Sequence, residues 1–238
     1  MNDTQPENGT GARVDLLDAW KSVCLCVMVG FHLCYDLTLF GRFPAEVMTC
    51  VPARVITYVF GGMFILLSGA LSRRARNNVR RGFTLLLWGL AVTAVTVLLK
   101  MPVAFGILHL LGVCKLLYGA AARRHAPRGG PGFALCCAAL FAVSWLLTAR
   151  VTVPVRWLYF LGLRPAGYWS ADDWPLLPWA CLFLLGTALG ARISARRDAP
   201  LLRAALPAWL TFPGRHSLAV YLLHQPLLYG ACLLLFHT

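Results

Sequence analysis

Charge is what this chain has least of: 13% of its 238 residues are charged, where a soluble domain carries about a quarter. The scarcity is one-sided, with 9 acidic residues against 22 basic ones and a formal net charge of +13. Nine cysteines are present, yet none forms a C-x-x-C pair and nearly all lie in apolar runs. Cysteine there acts as a small hydrophobe, and neither a zinc site nor a disulfide framework is indicated. There is no internal repeat, so the inverted-repeat plan of many secondary transporters is not visible. The chain start lacks the basic region and A-x-A site of a cleaved signal peptide. Residues 1–12 are polar and are expected to form a disordered cytoplasmic tail.

What is present is apolar. Hydrophobic residues make up 59% of the chain, and the mean hydropathy is +0.67. Runs approaching the ~20 residues that cross a bilayer as a helix cover roughly 20–40, 54–71, 82–99, 103–121, 132–148, 174–191 and 217–236. Open strand edges cannot be satisfied in hydrocarbon. The expected fold is therefore all-α, a polytopic transmembrane helical bundle of about seven spans, with residues 13–238 forming one domain.

The positive charge reads as topology rather than as nucleic-acid binding. Arg73, Arg74, Arg76, Arg80 and Arg81 crowd the second connection, Arg123, Arg124 and Arg128 the fourth, and Arg192, Arg196, Arg197 and Arg203 the sixth. The intervening connections carry fewer basic residues. By the positive-inside rule this alternation puts the N-terminus inside and the C-terminus outside. Two stretches are not spans: 150–173, expected over the outer mouth, and 201–212, apolar but too short to cross and expected along the inner interface.

Ionisable side chains at membrane depth are costly and mark functional positions. His32 and Asp36 lie i and i+4 on the first span, and His32 is about 18 Å from Trp20 along the helix axis. His109 lies about two turns from the outer end of the fourth span, so the two histidines can share a level. A histidine with a nearby carboxylate is a serviceable general base; the competing reading is interhelical hydrogen bonding for packing alone. Asp36 is expected to orient His32, and His109 to stabilise an oxyanion. Lys115 is deep in the fourth span but long enough to snorkel inward. His224, followed by Gln225 and Pro226, either satisfies the carbonyl freed by Pro226 or lines a cavity. The arginines at 73–81 bind either anionic lipid or a phosphorylated cytoplasmic ligand.

A resemblance now becomes visible. Arg13-x4-Asp18-x2-Lys21-Ser22, followed by Met28, His32 and Asp36, resembles the opening of the membrane acyltransferases. Phe64 to Gly69 (FILLSG), Phe105 to Gly112 (FGILHLLG), Ser170 to Trp179 (SADDWPLLPW) and Gly214 to Pro226 (GRHSLAVYLLHQP) resemble one branch. That branch is the heparan-α-glucosaminide N-acetyltransferase-like family in its short bacterial form. The resemblance implies transfer of an acyl group, acetyl first of all, from cytoplasmic acyl-CoA to an extracytoplasmic glycan or similar hydroxyl or amine, at a bacterial cytoplasmic membrane. It implies His32 as base, Lys21, Arg73, Arg74, Arg80 and Arg81 as contacts for CoA, and Asp172 with His224 near the acceptor. Lys21-Ser22 stands where the family usually has Arg-Gly, which keeps the charge and loses the bidentate fork. No metal is implied. Partners are lipids, acyl-CoA and the acceptor, with room for a homo-oligomer. A small proton-coupled transporter and a non-catalytic scaffold remain the alternatives.

Overall fold

The computed structural model describes residues 14–124, 129–196 and 199–236, so the expected polar tail at 1–12 lies outside the described residues. In chain order the helices are α1 (Asp15–Leu39), α2 (Ala45–Thr49), α3 (Val51–Ser72), α4 (Asn78–Leu98), α5 (Ile107–Arg124), α6 (Pro131–Arg150), α7 (Leu176–Ala195), α8 (Pro200–Arg203), α9 (Ala208–Arg215) and α10 (Ser217–Phe236). α1, α3, α4, α6, α7 and α10 are long and apolar enough to cross a membrane, and α5 is a shorter apolar helix beside them. The chain is thus a polytopic helical bundle, and the expected seven apolar segments correspond to six long helices and one short one.

Two span starts fall later than the sequence reading puts them. The fourth begins at Ile107 rather than near residue 103, and the sixth at Leu176 rather than at Trp174. The cause is common to both. The chain before α5 and the chain before α7 pair with each other, through Trp174 N–H to Phe105 O at 3.0 Å, Ala171 N–H to Pro102 O at 3.1 Å and Ala104 N–H to Ser170 Oγ at 3.1 Å. Backbone groups used in this pairing are not available to a helix.

That pairing makes 150–173 a folded cap over one end of the bundle instead of a re-entrant helix. The cap holds a short 3₁₀ helix (Arg156–Leu161), stacked Tyr159 and Tyr168, and an Arg164–Asp173 ion pair. Burial pushes the Tyr168 phenol up to about 12, with the Asp173 carboxylate adding to the shift. At the opposite, basic end, the stretch expected at an interface becomes α8 and α9. α9 is fixed to α1 by Gly214 N–H donating to Ser22 Oγ at 2.8 Å and by Arg215 bridging to Asp15 at 2.7 Å.

Small residues govern how closely the helices pack. Hydrocarbon offers no hydrophobic drive between spans, so close backbone approach and dispersion contribute most of the association. On α7, Gly186-x3-Gly190 lies against the backbone of α3 at Leu66 and Ala70, while Gly69 of α3 lies against Phe183 O. In the same way Gly82 and Gly112 bring α4 and α5 together. α3 and α7 are the central pair, with 44% of each span buried against 6% in α10.

Candidate active site

Beneath the cap, α1, α5 and α10 bring together residues far apart in sequence. The His32 ring of α1 meets the His224 ring of α10 edge-on, with centroids 4.8 Å apart. His32 Nδ1 lies 2.9 Å from Met28 O, and His224 Nδ1 lies 2.6 Å from Tyr221 O. A carbonyl only accepts, so each Nδ1 carries the proton and donates it. In the neutral rings both Nε2 atoms are therefore proton acceptors. Nε2 of His224 is buried without a hydrogen-bond partner.

The cap contributes Asp172. Its Oδ2 accepts from Ile107 N–H at the start of α5 and from the Tyr221 hydroxyl of α10, both at 3.1 Å. A carboxylate at a helix N-terminus also meets the positive end of the helix dipole. Gly106 permits this approach, because a Cβ there would overlap the Asp172 carboxylate. Desolvation by the surrounding protein pushes the Asp172 carboxyl up, and the Ile107 amide, the charge of His32, and the Tyr221 and Trp174 side chains pull it back.

His109 is within electrostatic reach of the same carboxylate, is buried, and has an unpartnered Nδ1. Its ring lies over Gly89 of α4, where a Cβ would stand 3.1 Å from ring Cε1. His32 and His109 are thus both within electrostatic reach of the Asp172 carboxylate.

Asp36 does not take the orienting role that the i, i+4 spacing gave it. Its Oδ1 accepts from Gln225 Nε2 at 2.7 Å, and its Oδ2 is buried without a hydrogen-bond partner. The Met28 carbonyl, one turn before His32 in the same helix, holds the ring instead. This has a kinetic consequence. Replacing the aspartate of a true His–Asp relay by asparagine costs about 10⁴-fold in rate. Asp36→Asn should instead keep turnover within about tenfold of wild type, measured as kcat on membranes with matched protein levels. A loss of the full relay size would restore Asp36 to the catalytic set.

The expected donor-binding residues occupy the basic end, apart from the histidines. Lys21 is buried, donates to Ser217 Oγ at 2.9 Å and lies over the Phe64 ring at 5.1 Å. Arg73 caps α3, Arg74 follows it, and Arg80 and Arg81 are exposed in the first turn of α4. Along α1, Lys21 and His32 are eleven residues apart, about 16 Å of axial rise.

Sequence reasoning missed Tyr221, Gly89 and Gly106 as site residues. Tyr221 had a signal: it stands three residues before His224, on the same helix face. The glycines had none, because what makes them necessary is a side chain from another element. Among the described residues, no group of three or more histidine, cysteine or acidic side chains is placed to hold a metal ion.

The family model for the catalytic domain of heparan-alpha-glucosaminide N-acetyltransferase matches residues 13–226. That range contains every residue of the candidate site. No curated protein and no solved structure matches the chain.

Proposed function

Since the chain belongs to the heparan-alpha-glucosaminide N-acetyltransferase catalytic-domain family, we propose that it is an acyltransferase working across the bacterial cytoplasmic membrane. The donor is cytoplasmic acyl-CoA, acetyl-CoA first of all, bound by its phosphates at the basic end. The acceptor is a hydroxyl or amine of an extracytoplasmic glycan or similar molecule, entering under the cap. The observation that carries this reading is one cluster: the His32 ring against that of His224, the Tyr221 hydroxyl on Asp172, and His32 and His109 within electrostatic reach of that carboxyl group.

The chemistry follows from the ring tautomers. His32 Nε2 takes the proton from the acceptor as its oxygen or nitrogen attacks the thioester carbonyl. The carbonyl π pair moves onto oxygen, and His109 is placed to donate to that oxyanion in its protonated form or in the tautomer that presents N–H. Collapse breaks the carbon–sulfur bond, and the CoA thiolate recovers the proton from His32. The Asp172 carboxyl group, held by the Ile107 amide and the Tyr221 hydroxyl, stands within electrostatic reach of the imidazolium that forms, the service the sequence reading gives to Asp36.

Inside-out vesicles loaded with a glucosamine-type acceptor test the whole reading. With labelled acetyl-CoA outside, label should appear on the trapped acceptor in proportion to enzyme. Intact vesicles that bind labelled acetyl-CoA but leave a range of amine and hydroxyl acceptors unlabelled would overturn transfer. Acceptor flux without CoA would favour a carrier.

A further inference from the structure

α3 and α6 both pack on α7, and an apolar groove of about 670 Å³ opens between them. Tyr58 and Leu66 of α3, Ala142, Trp145 and Leu146 of α6, and Trp179 of α7 line it. Among the described residues, its lining carries no charged side chain. Cavities of this size with aromatic and aliphatic walls are typical of ligand sites. All three contributing helices are of membrane-crossing length, so the medium beside the groove is lipid hydrocarbon. Left empty, the walls would forfeit dispersion contacts, and water would find no hydrogen-bond partners there.

The dimensions select the occupant. From Tyr58 to Leu66 the groove follows α3 for about 12 Å of helix rise. Over that length its volume corresponds to a channel roughly 8 Å across, narrower than the ~10–12 Å of a helix with its side chains. A slender hydrocarbon chain fits, and a span of a second copy does not.

The groove ends against the cap. Tyr58 meets the Trp145 ring at 5.3 Å and the Trp174 ring at 6.3 Å, and Trp174 meets Trp179 at 4.6 Å between centroids. Trp174 is buried over Gly61 of α3, where a Cβ would overlap its ring. Its backbone N–H holds Phe105 O, and it stands two residues after Asp172. Tyr58 and Trp179 thus brace the cap segment that positions the carboxyl group, yet Tyr58 is 44% exposed. Whatever covers Tyr58 completes the brace.

We propose that the groove binds one hydrocarbon chain of a membrane lipid, and that this chain, by covering Tyr58 and Trp179, steadies Trp174 and the cap segment carrying Asp172. The site rests on the groove and its ring contacts; only its consequence for rate rests on the transferase reading.

The test places the full chain in phosphatidylethanolamine vesicles doped with phosphatidylglycerol that carries a diazirine on one acyl chain. After illumination, peptides containing Met63 and Ala142 should carry on the order of tenfold more label than the peptide containing Leu234 and Leu235, which are exposed on α10. Ala142→Trp and Leu146→Trp each place a ring in the groove from an exposed position. Both should lower groove label to the α10 level without lowering the melting temperature. Amide exchange over 170–174 should be slower in these vesicles than in a lipid-free fluorinated detergent, whose chains mix poorly with hydrocarbon. In Ala142→Trp it should be slow in both media. Equal labelling of the groove and α10 in wild type overturns the site. So does groove label that both tryptophan variants leave unchanged, or a cross-link between two copies through these residues. Exchange over 170–174 indifferent to lipid overturns the link to the cap. On the transferase reading, wild-type transfer should fall about tenfold in the fluorinated detergent and return when phosphatidylethanolamine is added. Protein that labels and exchanges as expected but transfers in no medium keeps the site and sinks that reading.

Discussion

His32→Ala should lower acyl transfer by on the order of 10²–10⁴-fold, the usual contribution of a positioned general base. The variant should still bind the donor, because Lys21, which we propose meets it, lies about 16 Å away along α1. His32 is partly exposed and its ring bonds only its own helix backbone at Met28, so its removal leaves no distant partner orphaned. The expected result is thus a fall in kcat with little change in the melting temperature. His32→Gln is the sharper control: its amide can occupy similar space but cannot accept and hold a proton. Both variants should fail alike. Transfer at wild-type rate by a properly inserted His32→Ala protein would remove the base from this site. His224→Ala should be milder. Its Nδ1 is used within its own helix, and its contact with His32 is through the ring.

How much of this was legible beforehand depends on the range of the interaction. The spans follow from hydropathy because a bilayer imposes one length on every crossing helix. α10 was placed at its observed ends, 217 and 236. α5 and α7 were misplaced at their starts because the 102–105 and 170–174 segments pair with each other, a contact between distant residues that no local pattern reports. The site shows the same division. His32, His109 and His224 stood out singly because ionisable groups at membrane depth are rare. Asp36, expected to orient His32, is not hydrogen-bonded to it. Asp36 is one turn from His32 in sequence, and spacing favours neighbours on one helix. Its partner is Gln225, on another helix, whereas Asp172 reaches the cluster from a loop some 140 residues later by count along the chain. Lys115 is long enough to snorkel, since a lysine four carbons long can usually find water. Ser72 and Ser68 hold it instead.

Gly186→Val should prevent assembly of the bundle, the largest stability effect expected of any single change described. A Cβ at 186 would overlap the Leu66 carbonyl of α3, and the obstacle is backbone, which cannot rotate aside as a side chain would. Overpacking a core typically costs about 1–3 kcal/mol; here relief requires moving α3 from α7 along a seam that also holds Gly69 against Phe183 O and Gly190 against Ala70 O. Those two glycines are in register with the first, so a displacement at 186 loosens all three close approaches together. α3 and α7 are also the most buried spans, and Trp179 of α7 packs on Trp174 next to Asp172. Displacing the seam would therefore disturb the cap that supplies Asp172 as well as the bundle. Gly30→Ala is the matched comparison. Gly30 lies inside α1 with nothing within 4 Å of a new Cβ, so alanine there should stabilise by about 0.5–1 kcal/mol through its better helix propensity. Thermal melts of the two variants in one detergent should move in opposite directions. A Gly186→Val protein that melts with wild type would show that the α3–α7 seam is looser than its backbone contacts require.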